Sequence, residues 1–268
     1  MDEERIEKFV QKVQSNKKYQ SITPDLVKRL VKGALRRGLT GKSVVKDVRN
    51  KLHQIGGAYF RRNPDFDEKI QTLEALPHNP DSEGLQHYCK ETMQAHASTA
   101  ERLPILEEFY RTCLAPVAPV ISVLDLACGM NPLAAPWMPL ADDATYIACD
   151  IYLDMLALVE KFLAHISLNG CAAPCDLTAQ VPEHKSQVAL LLKSIPCLEQ
   201  VEKPVVMRLL QSIQADHILV SFPVRSLGGR QKGMPNFYRD HFYETLSGTN
   251  WQIQEFAFDT ELAFLVTK

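Results

Sequence analysis

Apolar residues recur at helical spacing from the start of the chain. Ile6, Phe9, Val10 and Val13 fall on one face of residues 2–14. Thr23-Pro24 reads as a cap followed by proline at the first helical position. Leu26, Val27, Leu30, Val31 and Leu35 then continue the pattern over 25–37, and Gly38 ends it. A further helix is predicted over 43–55, stopped by Gly56-Gly57. Shorter ones are predicted over 66–76 and 83–95, separated by a turn at Pro77, Asn79-Pro80 and Asp81. Residues 98–114 read as one more helix, with Ser98 and Glu101 at capping-box spacing and Pro104 set to bend it.

From about residue 117 the period changes. Strands are predicted over 121–126 and over 146–149, the latter ending at Asp150. A helix fits 152–168, and a short third strand ends in Cys175-Asp176-Leu177. An apolar strand over 188–193, a helix from about 200 to 215 and a strand over 217–222 follow. Residues 252–258 and 262–266 read as a closing antiparallel pair. Strands alternating with helices predict an α/β fold with a parallel sheet covered on both faces. The chain thus divides into a helical N-terminal module, 1–112, and an α/β domain, 113–268.

Composition narrows this little: 46% hydrophobic and 23% charged residues suit a chain of 268 residues with a full core. The opening Met-Asp-Glu-Glu-Arg is polar and no apolar run follows it. The most apolar segment, 115–127, is interrupted by Pro116 and Pro119 and is too short to span a bilayer, so a cytoplasmic protein without a membrane partner is expected. Seven cysteines, an odd number at irregular spacing, match neither a disulfide framework nor a zinc set, so reduced thiols and no metal are expected. Charge changes the picture more. The formal net charge is −2, yet residues 12–62 hold fourteen Lys and Arg against two acids, whereas residues from 116 onward hold ten basic and sixteen acidic side chains. A basic module on an acidic body predicts a polyanionic partner.

The candidate chemistry starts at V-L-D-L-A-C-G-M-N-P-L, residues 123–133. An apolar strand stops there at an acidic turn, and the small residues Ala127 and Gly129 let a ligand approach the backbone. Asp150, at the end of the second strand, is placed to accept two hydrogen bonds from a ribose diol. At the end of the third, Asp176 and a neighbouring amide are placed to read an adenine edge. The dinucleotide G-x-G-x-x-G is absent, and Gly41-Lys42-Ser43 follows a helix rather than the strand a phosphate loop requires. Asp-x-x-x-Gly with a later strand-end acid resembles the S-adenosylmethionine (SAM) site of class I methyltransferases.

Four further stretches sharpen the resemblance: H-Q-I-G-G-A-Y at 53–59, H-A-S-T-A-E-R-L at 96–103, L-L-K-S-I-P-C-L-E at 191–199 and S-F-P-V-R-S-L-G-G-R-Q-K-G-M at 221–234. With the acidic turn, they resemble the aminoglycoside-resistance 16S rRNA methyltransferases of the Arm/Rmt type, from about residue 15 to the end. The resemblance implies an α/β class I SAM-dependent methyltransferase (Rossmann-like) fold with a helical N-terminal domain. It implies methyl transfer from SAM to N7 of guanine 1405 in the decoding site of the 30S subunit, with S-adenosylhomocysteine (SAH) as product and a monomeric enzyme. It carries a cofactor site onto Tyr59, His96, Ala97, Ser98, Arg102, Ala127, Asp150, Asp176, Leu177, Leu192 and Gln200. Arg102 suits a methionine carboxylate, being a fixed cation with a two-pronged donor set. His96 reads equally as a capping or packing residue.

Guanine N7 carries a lone pair and no proton, so no general base is sought. Lys193 and Arg230 are the residues expected at the target nucleotide, at the edge of the sheet where the cofactor would lie. Arg225 and Lys232 on the glycine-rich loop, and Lys17, Lys18, Arg61 and Arg62 in the basic module, are expected to contact RNA. Phe222 or Tyr238 either stacks on the displaced base or belongs to the core. Two other readings stay open: a methyltransferase for a small molecule, and a non-catalytic RNA-binding or ribosome-assembly factor.

Overall fold

The computed structural model describes residues 3–57, 60, 64–201, 205–224 and 234–268. Seven strands form one sheet: β1 (Val120–Leu126), β2 (Leu140–Asp150), β3 (Asn169–Pro174), β4 (Ser186–Leu192), β5 (Ala215–Pro223), β6 (Gln252–Ala257) and β7 (Glu261–Thr267). Their order is β3-β2-β1-β4-β5-β7-β6. The first five are parallel, and β7 runs antiparallel between β5 and β6. Winding goes outward from β1 to β3 on one side and from β4 onward on the other. The β1–β4 junction is therefore the switch point, where a crevice opens at the carboxyl ends of the strands. Central strands β4, β5 and β7 are almost continuously apolar because both faces are covered.

The helices are α1 (Glu3–Gln14), α2 (Pro24–Arg36), α3 (Lys42–Leu52), α4 (Phe66–Glu74), α5 (Glu83–Met93), α6 (Ala97–Arg102), α7 (Leu106–Leu114), α8 (Leu153–His165), α9 (Ile195–Val201), α10 (Val205–Ser212) and α11 (Met234–Leu246). Gly38 ends α2 as expected, with φ +82 and the Leu39 amide bonding back to the Ala34 carbonyl. Asp65 and Ser82 cap α4 and α5 through their side chains.

Several expectations are revised. The α3 helix ends at Leu52 and passes into a π-helical turn, His53–Gly57. The helix expected over 98–114 is two helices, because Pro104 sits in a 3-10 turn, Leu103–Ile105. No capping box opens it: His96 is the N-cap, and Glu101 turns to Lys193 instead. The helix expected over 200–215 is the pair α9 and α10, and Ala215 already starts β5. The third strand stops at Pro174, leaving Asp176 on the loop beyond it. Helix α11 and the outer half of β2 were not expected.

Alternating strand residues feed two apolar cores. Leu124, Ala189, Leu191, Val220 and Phe264 meet α9–α11 on one face. Val123, Tyr146, Val188, Leu219 and Leu265 belong to a second cluster that runs without a break through α8, α7, α5 and the N-terminal helices to Ile6 and Val13. Main-chain bonds add to this seam: the Thr23 amide donates to the Ile151 carbonyl, and the Leu153 amide to the Ser21 carbonyl, each at 2.8 Å. No helix among the described residues is long and apolar enough to cross a membrane.

A candidate active site at the carboxyl edge of the sheet

Beyond β1 the backbone leaves the sheet through two left-handed residues, Ala127 (φ +51) and Gly129 (φ +52). An alanine in that region is unfavourable and persists where the surroundings impose it, a pattern common at ligand sites. Glycine at 129 is required twice over, since a Cβ there would come within 2.8 Å of Cε1 of His96. The Gly129 amide donates to Oδ2 of Asp150 at 2.9 Å and the Ile151 amide to Oδ1 at 2.6 Å, so the turn and the second strand end lock each other. Burial raises the Asp150 pKa, against the pull of those amides.

These elements line a cleft. Of the expected cofactor residues, His96, Ser98, Ala127, Asp150, Asp176, Leu177 and Leu192 lie on its wall, together with Lys193. Tyr152, Cys175, Thr178, Ser194, Cys197 and Leu198 also line it, and none of these was expected. Ala97 is buried at the head of α6, off the wall. Gln200 is exposed on α9, where Cys197 and Leu198 take the inward positions instead. Tyr59, Arg230, Arg61, Arg62, Arg225 and Lys232 lie outside the described residues.

Arg102 stands behind the wall rather than on it. It is 1% exposed, and its guanidinium meets Glu261 with Nε and Nη2 (2.6 Å at the shortest) and Asn131 Oδ1 with Nη1 at 2.8 Å. Asn131 in turn donates to Asp125, as does the Tyr146 hydroxyl, at 2.8 and 2.6 Å. Glu261 also accepts from Ser221 and pairs with Lys193 Nζ at 3.2 Å. Lys193, at φ +55 past the end of β4, reaches Glu101 at 3.0 Å and the Ser98 carbonyl at 3.3 Å. Buried charges survive only when paired and hydrogen-bonded, and this network meets that demand.

The protonation states follow from the network. Burial would raise the Glu261 pKa, but Arg102 and Lys193 outweigh it and keep the carboxylate ionised. Burial opposes charge on Arg102, and Glu261 outweighs it. Burial pushes Asp125 up to about 7, against the Tyr146 and Asn131 bonds. Burial, then the charges of Arg102 and Lys193, pull His96 down to about 3, so its imidazole is neutral at physiological pH.

At the other end of the cleft, Asp176 accepts from Arg29 Nε at 2.7 Å and, on its second oxygen, from the amide and hydroxyl of Thr178. Arg29 belongs to α2. Its basic neighbours line two surface hollows, one with Lys28, Lys32 and Arg36, the other with Lys12, Lys42, Lys46 and Arg49. Part of the positive excess is offset locally: Lys28 pairs with Glu3 and Glu7, and Arg37 with Asp47. Lys17 is exposed in the turn after α1, and Lys18 contacts His53 Nδ1 at 3.1 Å. Phe222 is core, 1% exposed against Phe242 and Phe264, with Tyr238 stacked on it at 4.9 Å.

Glu261 is the principal residue that sequence reasoning missed. Its signal was an acid opening an otherwise apolar run, Leu-Ala-Phe-Leu-Val, which burial forbids unless a cation waits opposite.

Comparison with known proteins bears on this site as a whole. A family model described as ribosomal RNA methyltransferase (FmrO) matches residues 15–265. The chain is 33% identical to a 16S rRNA (guanine(1405)-N(7))-methyltransferase of Micromonospora echinospora, over 99% of this chain and 98% of that one. A protein of the same description from Serratia marcescens is 32% identical, over 95% of each chain. Among solved structures the chain is similar to the 16S rRNA methyltransferase RmtF in complex with S-adenosyl-L-homocysteine. The TM-score is 0.83 at 32% identity, with 100% of this chain and 99% of that one covered. The sheet order and its switch-point cleft are those of the class I SAM-dependent methyltransferase fold. The chain belongs to the FmrO family of ribosomal RNA methyltransferases.

Proposed function

We propose that this protein transfers a methyl group from S-adenosylmethionine to N7 of guanine 1405 in the 16S rRNA of the 30S subunit, and thereby confers aminoglycoside resistance. The observation that carries this reading is the cleft at the β1–β4 junction, bounded by left-handed Ala127, by Asp150 at the end of β2 and by Asp176 on the loop after β3. It lies in a chain that aligns end to end with guanine-1405 methyltransferases.

The donor set fits the cofactor. Asp150 offers a carboxylate to a ribose diol, Asp176 and the Leu177 amide suit an adenine edge, and Leu192, Leu198 and Tyr152 supply apolar walls. Ser98 and Lys193 face the remaining end, where an amino acid would sit, and Glu261 and Arg102 stand behind Lys193. When bound, the sulfonium supplies an electrophilic methyl group. The chain's own task is alignment and exclusion of water, because N7 has a lone pair and no proton to remove. Alignment of this kind is worth up to about 7–11 kcal/mol. A neutral His96 suits this task, since it adds no charge beside a cationic centre.

In this reading Lys193 and Arg230 touch the target nucleotide. Arg225 and Lys232 grip the RNA beside it. The module 1–112, including Lys17, Lys18, Arg61 and Arg62, docks a cytoplasmic monomer on the ribosome. N7 lies in a groove that is deep and narrow in A-form RNA, so the guanine must leave its stack. The test is methyl transfer to purified 30S subunits and to naked rRNA, followed by borohydride/aniline cleavage and primer extension. One stop at guanine 1405 on 30S subunits is expected. Unmarked subunits, or transfer to a small molecule alone, would overturn the reading.

A further inference from the structure

Three hydrogen bonds converge on the Asp176 carboxylate, and one comes from the N-terminal helices. Arg29, halfway along α2, puts Nε on Oδ2 of Asp176 and Nη2 on the Thr178 hydroxyl. Thr178 in turn holds Oδ1 through its amide at 3.0 Å and its hydroxyl at 2.6 Å. The carboxylate is only 14% exposed. Its plane is therefore set by one guanidinium nitrogen on Oδ2 and by Thr178 on Oδ1, while the second prong of the guanidinium holds Thr178 itself. A carboxylate accepts about four hydrogen bonds, so one position remains for a donor in the cleft.

We infer that Arg29 is a positioning residue for the cofactor site: it fixes the Asp176 carboxylate so that its free lone pair meets the exocyclic amine of the adenine ring. This rests on the reading of Asp176 given above. Arg29 shares the exposed face of α2 with Lys32 and Arg36, so the helix that presents positive charge outward also sets an acid in the cleft. Lysine in its place keeps the charge but loses the fork, and cannot hold Asp176 and Thr178 together.

Isothermal titration of the full chain with SAH, and with an SAH analogue whose purine lacks the 6-amino group, separates positioning from support. The wild-type protein is expected to bind SAH about tenfold more tightly than the analogue, the scale of one hydrogen bond to a charged group. Arg29→Ala should weaken SAH by about tenfold while the analogue moves by less than about twofold. Arg29→Lys should lose part of the discrimination, and Asp176→Asn should make Arg29→Ala silent. Equal loss of both ligands in Arg29→Ala would reduce Arg29 to a prop for the fold. Unchanged discrimination in either Arg29 variant would overturn the inference by itself. If the wild-type protein failed to discriminate, the assignment of Asp176 to adenine would fall first, and the inference with it.

Discussion

Two charge-rich regions of this molecule obey different physics. Beside the cleft, Arg102, Lys193 and Glu261 are 1%, 2% and 0% exposed, and both cations pair with Glu261. On the N-terminal module, Lys42, Lys46 and Arg36 stand in solvent around shallow hollows. In the first region the charges hold each other at a cost in desolvation, and salt barely reaches them. The second contributes little to folding but makes a field that a polyanion feels at a distance. The same residue types thus shape a pocket in one place and advertise a surface in the other, according to whether water is present.

The comparison breaks most easily at Glu261. Glu261→Ala removes the carboxylate that the two buried cations share, and a loss of about 3–5 kcal/mol in denaturant unfolding is expected. A loss below about 1 kcal/mol would mean that the network is wetter than its burial implies. Gly129→Ala comes next, combining a left-handed backbone with a clash against His96. A cost of about 1–3 kcal/mol and weakened SAH binding are expected. Adding His96→Ala should recover the steric share alone, and a double-mutant cycle reads that coupling.

Asp125 sharpens the buried side through pH. Its folded pKa of about 7 lies above the ordinary value of about 4, so the folded state binds more protons between those values. Its contribution is fully present below about pH 4 and is lost as pH rises through about 7. The wild-type protein should therefore gain on Asp125→Asn by up to about 1.4 kcal/mol per unit as pH falls through this window. Parallel pH profiles of unfolding would contradict the raised value. The smallest effect on folding is expected at the exposed side. Reversing Arg36, Lys42 and Lys46 should leave stability within about 0.5 kcal/mol. It should weaken 30S binding and flatten its salt dependence by about one unit of slope per lost phosphate contact.

The contrast also explains what the sequence could disclose. Helices α1, α2 and α3 were legible because one apolar stripe on each must face a core. The acidic turn after β1 was legible because Asp125, Ala127 and Gly129 sit within five residues, and so was Asp150 at the end of a short apolar run. Helix α11 was hidden because Phe237 and Tyr243 point outward and blur its stripe. The network was hidden for a deeper reason. Arg102 and Glu261 lie 159 positions apart, and no local period reports a pairing that only the sheet order creates. Arg102 was read toward a ligand carboxylate, and a protein carboxylate already occupies that fork.

The unbroken apolar seam from Ile6 to the sheet has a consequence for anyone who would cut this chain. Helices α1–α3 are not a detachable handle. A fragment beginning near residue 113 would uncover one flank of α8 and the underside of Tyr146, and would be expected to aggregate before it could be assayed. Chimeras exchanging the first hundred residues between relatives should therefore survive only when the facing side chains of α8 travel with them.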